Sequence, residues 1–365
     1  MLVVTYNSVG FVGRLCGSIL SQDYDLSRVL VVVVDNGSVD GTVEEFLRCL
    51  EKGSVNYVVV KLGRNLGFTP ANNVGLALAS RVLGGFGDKV VLLLNPDTYL
   101  LDKGFFRVVD RVSSALPVVG FATVSGEGGE VVDSIGMFVD FLGNPQDLFC
   151  CVRFTPRLRR LVLDVLPRLC LVPLVCFAAV AIRGDVISRL GFLRNDYVMY
   201  FDDTEYCLRL WSSGVPVAVY RGFMVWHARG GTQRSRGDPR GRSDQVFMDI
   251  PYHFAKNNLL LVYEYLGPIR YFLRLLLYGV IGAIWRRRYL AFAITDSIRL
   301  IVKRGVRRRR LPRGLVPFSP RTWTLLWALK YFIRYPARGL SEAISYGTKR
   351  ASLEYIRLRV LKRLR

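Results

Sequence analysis

The turn after the first apolar run, Thr5-Tyr6-Asn7-Ser8-Val9-Gly10, lacks the GxGxxG pattern, so a pyrophosphate would find no helix N-terminus to approach. That excludes a nicotinamide-dinucleotide enzyme. No Gly-rich phosphate loop follows this strand either, which argues against a nucleotidyltransferase. The seven cysteines include no CxxC pair, and most sit in apolar runs where a thiol packs as a small hydrophobe. They read as reduced, which implies a cytoplasmic protein. The chain opens directly on Leu2-Val3-Val4, with no charged leader or small-residue cleavage site, so no signal peptide is expected. In the C-terminal region the longest charge-free piece, residues 275–285, is too short to cross a bilayer. Internal repeats are absent.

Acidic residues are scarce in one part of the chain. From Lys256 onward there are 25 Lys/Arg against 4 Asp/Glu, or +21, which leaves 26 against 25, or +1, for residues 1–255. Two regions follow: a near-neutral catalytic domain over 1–255 and a basic extension over 256–365. The extension interleaves aromatic and aliphatic residues with Arg over 259–285, 289–303, 323–332 and 351–365, with basic clusters at 286–288 and 307–310. Helices lying in an interface suit this pattern, apolar side down with guanidinium groups at anionic headgroups. A nucleic-acid-binding arm has no use for so much apolar surface, so a nucleic-acid partner is not expected. A solvated, Arg-rich surface is the plainer reading.

The first hundred residues alternate β-branched runs (2–5, 29–34, 57–61, 90–94) with helical patterns (12–20, 43–51, 71–83). Apolar runs joined by crossover helices predict a parallel sheet buried on both faces. Strands of a mixed sheet are expected beyond residue 117, with a helix over 203–211. Each early strand ends in polar residues, and in an open α/β sheet ligands bind at those carboxyl ends.

Four segments could carry chemistry. Asp35-Asn36-Gly37-Ser38 follows a buried strand, so its carboxylate could accept from a base or ribose; an ordinary βα turn explains it equally. Asn95-Pro96-Asp97 puts a carboxylate where it could take one position on Mg²⁺ or Mn²⁺, or merely end a strand. Asp202-Asp203-Thr204-Glu205 groups three acids at a helix start, where capping alone would favour them. Adjacent carboxylates in a crevice would also repel, raising one pKa toward the range of a general base. Of the two histidines, His227 ends an apolar run before a Gly-rich loop and suits a metal ligand, whereas His253 reads as packing.

Taken in order, these segments resemble family 2 glycosyltransferases, in particular the rhamnosyl- and galactofuranosyltransferase-like branch. The matching stretches are Val3-Val4-Thr5-Tyr6-Asn7, Val34-Asp35-Asn36-Gly37-Ser38 with Asp40-Gly41-Thr42, Asn65-Leu66-Gly67-Phe68 with Ala71-Asn72-Asn73 and Gly75, Asn95-Pro96-Asp97, Phe201-Asp202-Asp203 with Glu205 and Leu208-Arg209, and His227. The resemblance implies a GT-A fold, Rossmann-like α/β, with a helical C-terminal extension. It also implies inverting transfer from a UDP-, dTDP- or GDP-sugar to a glycan or lipid-linked acceptor. Thr5, Asn7, Asp35 and Asn36 would then hold the nucleoside, and Asn65, Asn72, Asn73 and Asn95 would line the sugar-nucleotide side. Asp97 and His227 would bind the divalent cation, Asp203 would be the base with Asp202 beside it, and Glu205 and Arg209 would complete the substrate set. The usual DxD metal motif has Asn95 at its first position here. A non-catalytic sugar-nucleotide-binding protein would need no paired acids. The extension would place the enzyme on the inner face of the cell membrane.

Overall fold

The computed structural model describes residues 1–140, 143–165, 167–229, 250–312 and 315. The first half follows the βα alternation: β1 Leu2–Thr5, α1 Val9–Leu20, β2 Leu30–Asp35, α2 Thr42–Leu50, β3 Asn56–Lys61, α3 Phe68–Val82 and β4 Val90–Leu94. Strands β3, β2, β1 and β4 lie side by side and parallel, as expected. Successive residues of a strand face opposite sides, so the sheet splits the core into two layers. Leu2, Val4, Val32, Val34 and Leu93 pack with Ala71, Leu76 and Ala79 of α3. On the other face Val3, Val31, Val33, Leu92 and Leu94 pack with Val12, Leu15 and Ile19 of α1 and with Phe46 and Leu50 of α2.

The sheet becomes mixed after β4. Strand β5 (Thr98–Leu100) and helix α4 (Phe105–Ala115) lead into β6 (Val118–Ser125), β7 (Val131–Ser134), β8 (Met137–Val139), β9 (Pro145–Asp147) and β10 (Val152–Arg153). After a short α5 (Pro156–Arg160) come β11 (Leu169–Leu171), β12 (Ala179–Arg183), α6 (Gly184–Leu190), α7 (Asp202–Ser212) and β13 (Val217–His227). Strand β12 inserts antiparallel between β4 and β6, and β13 runs parallel to β6 while pairing antiparallel with β5 and β11.

Three long helices follow: α8 (Ile250–Leu261), α9 (Pro268–Ile284) and α10 (Arg288–Arg304). The expected boundary between residues 255 and 256 falls inside α8, and Leu260, Leu261, Val262, Tyr265 and Leu266 pack into the same core cluster as β6 and α7. Among the described residues no helix is long and apolar enough to cross a membrane. The stretches at 323–332 and 351–365 lie outside the described residues.

One expectation is corrected. Cys16 of α1 and Cys49 of α2 form a disulfide, their Cα atoms 6.3 Å apart, because the two helices lie side by side on one face of the sheet. The remaining five cysteines are free thiols, so the expectation of wholly reduced cysteine fails at this one pair.

Gly75 explains how closely α3 approaches the sheet. A Cβ there would lie 2.3 Å from Leu2 Cδ1 and 2.8 Å from Val34 Cγ2, so a side chain must displace two core residues. Overpacking of that kind costs about 1–3 kcal/mol. Gly75→Ala is expected to lower the denaturant midpoint by a corresponding amount without changing the slope of the unfolding transition.

Candidate functional site

The polar ends of β1, β2 and β4 meet at one edge of the sheet. Thr5 pairs in register with Asp35, and both are buried. Asp35 accepts from the Ser38 amide at 3.0 Å through one oxygen, while its other oxygen and the Thr5 hydroxyl are buried without a hydrogen-bond partner. Unused polar atoms in such a place are what a ligand would satisfy. Asn7 is left-handed (φ 48°) and uses its side-chain oxygen on the Val39 amide, stitching the first two loops together. Asn36 donates to Asn65 Oδ1 (2.8 Å) and Gly67 O (3.2 Å) and accepts from the Leu66 amide, so the two asparagines hold the loop before α3 in shape.

Other residues of the expected set serve the scaffold instead. Asn72 caps its own helix turn on Phe68 O. Asn73 is tied to Leu193 O and Asn195 Oδ1 and accepts from the Leu193 amide, joining α3 to the loop that precedes α7. Arg209 donates to Leu190 O and Phe192 O at 2.9 Å each and to Glu205, and Glu205 also accepts from Tyr265. Both are buried, and Arg209 Nε is left without a hydrogen-bond partner. A motif spacing of four residues records a helix-face ion pair as readily as a binding pair.

Asp97 and His227 do come together. Pairing of β5 with β13 sets Thr98 opposite His227, which brings His227 Nε2 to 3.4 Å from Asp97 Oδ1, and the Ala228 amide donates to Asp97 O at 2.9 Å. On the far side of the ring, Nδ1 is 2.8 Å from Asp133 Oδ2, which also accepts from Thr123 at 2.7 Å. Burial works against charge on His227, yet the bonds to Asp133 and Asp97 outweigh it and push its pKa up to about 10. Burial likewise opposes ionisation of Asp133, but the bond from His227 and the charges of His227 and Arg229 hold its carboxyl below the usual range.

Arg229, two residues past the histidine, extends the cluster. Its guanidinium donates to Asp133 Oδ1 at 2.9 Å and Asp147 Oδ2 at 2.6 Å, and to the Cys150 thiol. Asp133, Asp147 and Arg229 were missed in sequence. The one available signal was an acid within the apolar run Val131-Val132-Asp133, which periodicity does not distinguish from a strand end.

The paired acids sit at the start of α7. Asp202 is buried, and burial together with the charge of Asp203 drives its carboxyl well above the usual range. Asp203 is more exposed. Burial, partly offset by hydrogen bonds from Thr204 and reinforced by the charge of Asp147, places its pKa at about 6. Ala178 O accepts from the Asn95 amide at 2.9 Å, and Asp147, whose charge acts on Asp203, is paired through Arg229 with Asp133. Asp147 thus couples the acid pair to the Arg229–Asp133–His227 cluster.

The donor set fits a divalent cation held sparsely. Asp97 offers a carboxylate, and His227 would offer Nε2 once a cation displaces its proton, with Asp133 fixing the ring from behind, as carboxylates do for metal-bound histidines. Among the described residues no group of three or more His, Cys, Asp and Glu could hold a metal by itself, so diphosphate oxygens would have to supply further ligands.

Residues 1–154 match glycosyl transferase family 2. The match includes Asp35, Asp97, Asp133 and Asp147, while Asp203 and His227 lie after it. Among solved structures the chain is similar to the mannosyltransferase PcManGT from Pyrobaculum calidifontis in complex with GDP-Man and Mn²⁺, at 15% identity and TM-score 0.48, over 97% of this chain and 85% of that one. It is similar also to S. aureus TarS 1–349 in complex with UDP-GlcNAc (16%, 0.48, 98% and 90%). GalNAc-T7 with UDP, GalNAc and Mn²⁺ overlaps at 17% and 0.49, over 72% and 47%. No curated protein matches the chain.

Loss of the carboxylate behind His227 frees the ring to turn. Asp133→Asn is therefore expected to weaken Mn²⁺-dependent binding of UDP, dTDP or GDP by about 10- to 100-fold while leaving metal-free binding unchanged, as calorimetry would read.

Proposed function

This chain carries a glycosyl transferase family 2 domain at residues 1–154, and from that premise we propose that it moves a sugar from a nucleoside-diphosphate sugar to an acceptor hydroxyl with inversion of configuration. The observation that carries the reading is the coupling of Asp203, a carboxylate of raised pKa, to Asp147, which Arg229 joins to Asp133 behind the Asp97–His227 pair. Asp35 and Thr5 hold the nucleoside through their unused buried oxygens. Asp97 and His227 hold Mg²⁺ or Mn²⁺. The cation, when bound, neutralises charge on the departing diphosphate. Asp203 takes the proton of the acceptor hydroxyl, which attacks the anomeric carbon from the face opposite the leaving group. One displacement inverts the centre, and no sugar-enzyme intermediate is needed. Asp202 stands beside Asp203, its carboxyl pushed above the usual range by burial and by the charge of that neighbour.

The acceptor is a lipid-linked or cell-surface glycan, reached from the inner face of the membrane. Support comes from the helical hairpin α9–α10. Ile269, Phe272, Leu276, Val280, Ile284 and Trp285 are all exposed along α9, and Arg286, Arg287 and Arg288 are exposed at the turn that follows. Exposed apolar surface rimmed by basic residues suits an anionic leaflet, where each basic residue adds about 1 kcal/mol. Two arginines of the extension are unavailable for this. Arg274 is buried against Asn258 and Asn144, and Arg309 pairs with the buried Glu264.

Transfer should require ionised Asp203. Its pKa of about 6 predicts a rate that falls roughly tenfold per pH unit below that value and levels off above it. A panel of UDP-, dTDP- and GDP-sugars with Mn²⁺ identifies the donor. Asp203→Asn should then cut turnover by about 10²- to 10⁴-fold while nucleotide affinity stays near that of the parent; a loss under tenfold removes Asp203 as base.

Docking is tested separately. Changing Arg286, Arg287, Arg288, Arg307, Arg308 and Arg310 to Gln should reduce sedimentation with anionic liposomes, most at low salt. Undiminished sedimentation at low and high salt alike rules out electrostatic docking.

A further inference from the structure

Tyr200 and Phe201, which immediately precede the acid pair, both adopt left-handed backbone angles (φ 62° and 63°). Glycine enters this region freely, but residues with a Cβ persist there only when the surroundings hold them, and such outliers gather at functional sites. Here the surroundings are α8. Asn257, wholly buried, donates from Nδ2 to Met199 O at 2.8 Å and to Tyr200 O at 2.9 Å. Both partners are carbonyls, so the orientation of the amide is fixed by chemistry. Its own Oδ1 is buried without a hydrogen-bond partner. An ordinary core position would not leave that acceptor unused; the side chain sits where its two donors are needed. One turn earlier on α8, Phe254 packs edge-on against Phe201, with ring centroids 4.8 Å apart.

The consequence for the acid pair is geometric. The two left-handed residues set the direction in which α7 leaves the turn, and Asp202 and Asp203 are its first two residues. If either carbonyl were released, the 199–201 peptides could relax to ordinary angles and swing the start of the helix. We propose that Asn257 is a positioning residue, whose amide clamps the Tyr200–Phe201 turn and so aims Asp203 at the acceptor hydroxyl. The proposal rests on Asp203 being the base, and α8 thereby belongs to the catalytic machinery although it touches no substrate.

The test uses the full chain and the sugar nucleotide that the parent turns over in the donor panel. Asn257→Ala should lower kcat at least tenfold with donor KM within about threefold and nucleotide affinity unchanged by calorimetry. Amide hydrogen exchange should rise in peptides covering 197–206 and stay constant over β1 to β4. Adding Tyr200→Gly, which accepts a left-handed angle unaided, should recover a large part of kcat. Where the alanine variant does not fold, Asn257→Ser keeps one shorter donor and should show the same split at smaller size. An unchanged kcat in a folded Asn257 variant, or a lost kcat with no recovery in the double variant, overturns the clamp. Asp203→Asn run in parallel separates the failures: if it is fully active, base and clamp fall together, and if it is inactive beside an unaltered Asn257→Ala, the clamp alone falls.

Discussion

The candidate site depends on where β13 runs. This strand lies parallel to β6 and antiparallel to β5, and its last residue stands opposite Thr98. That single register brings His227 to Asp97 across 130 residues of chain and leaves Asp133, on β7 beside β6, behind the imidazole. A slip of one residue would turn the histidine to the other face of the sheet. The register is held by buried apolar residues, Val217, Ala218, Val219 and Val225, which would be exposed to the wrong layer by such a slip. Hydrophobic burial fixes the strand, and the strand fixes the polar cluster.

That cluster is held together by charge where water is scarce. Asp133 lies between His227 and Arg229, and Arg229 reaches on to Asp147, so each buried acid meets a cation or a donor. Burying ions is costly unless their partners are well placed, and removing one partner leaves the other exposed to the full penalty. A second such group lies behind α7, where Arg194 pairs with Glu264 and Asp196 and Arg209 pairs with Glu205. The two groups restrain the surroundings of the acid pair more than they stabilise the fold.

The C-terminal helices have two kinds of surface. Inward, α8 and α9 send Asn257, Asn258 and Arg274 to the turn before α7 and to the 143–144 loop. Outward, α9 carries apolar residues that no described element covers. Among the described residues, the basic groups of the region therefore include Arg274, buried against Asn258 and Asn144, and Arg309, paired with the buried Glu264, as well as the exposed arginines at the α9–α10 turn. Composition reports the sum of the two and cannot separate them.

The βα alternation, the parallel order of the first four strands and the polar strand ends that carry Asp35 and Asp97 were legible in the sequence. Each is written locally: a strand shows as an apolar run, a crossover helix by its period, and a functional turn as a polar tripeptide after a strand. The disulfide between Cys16 and Cys49, the carboxylate behind His227, the reach of Arg229 and the clamp by Asn257 were not legible. All four are contacts between residues 33 or more apart, set by which strand or helix neighbours which, and no local pattern encodes a neighbour that distant. The same limit hid the backbone carbonyls that bind Asn73 and Arg209, which lie more than a dozen residues away in sequence.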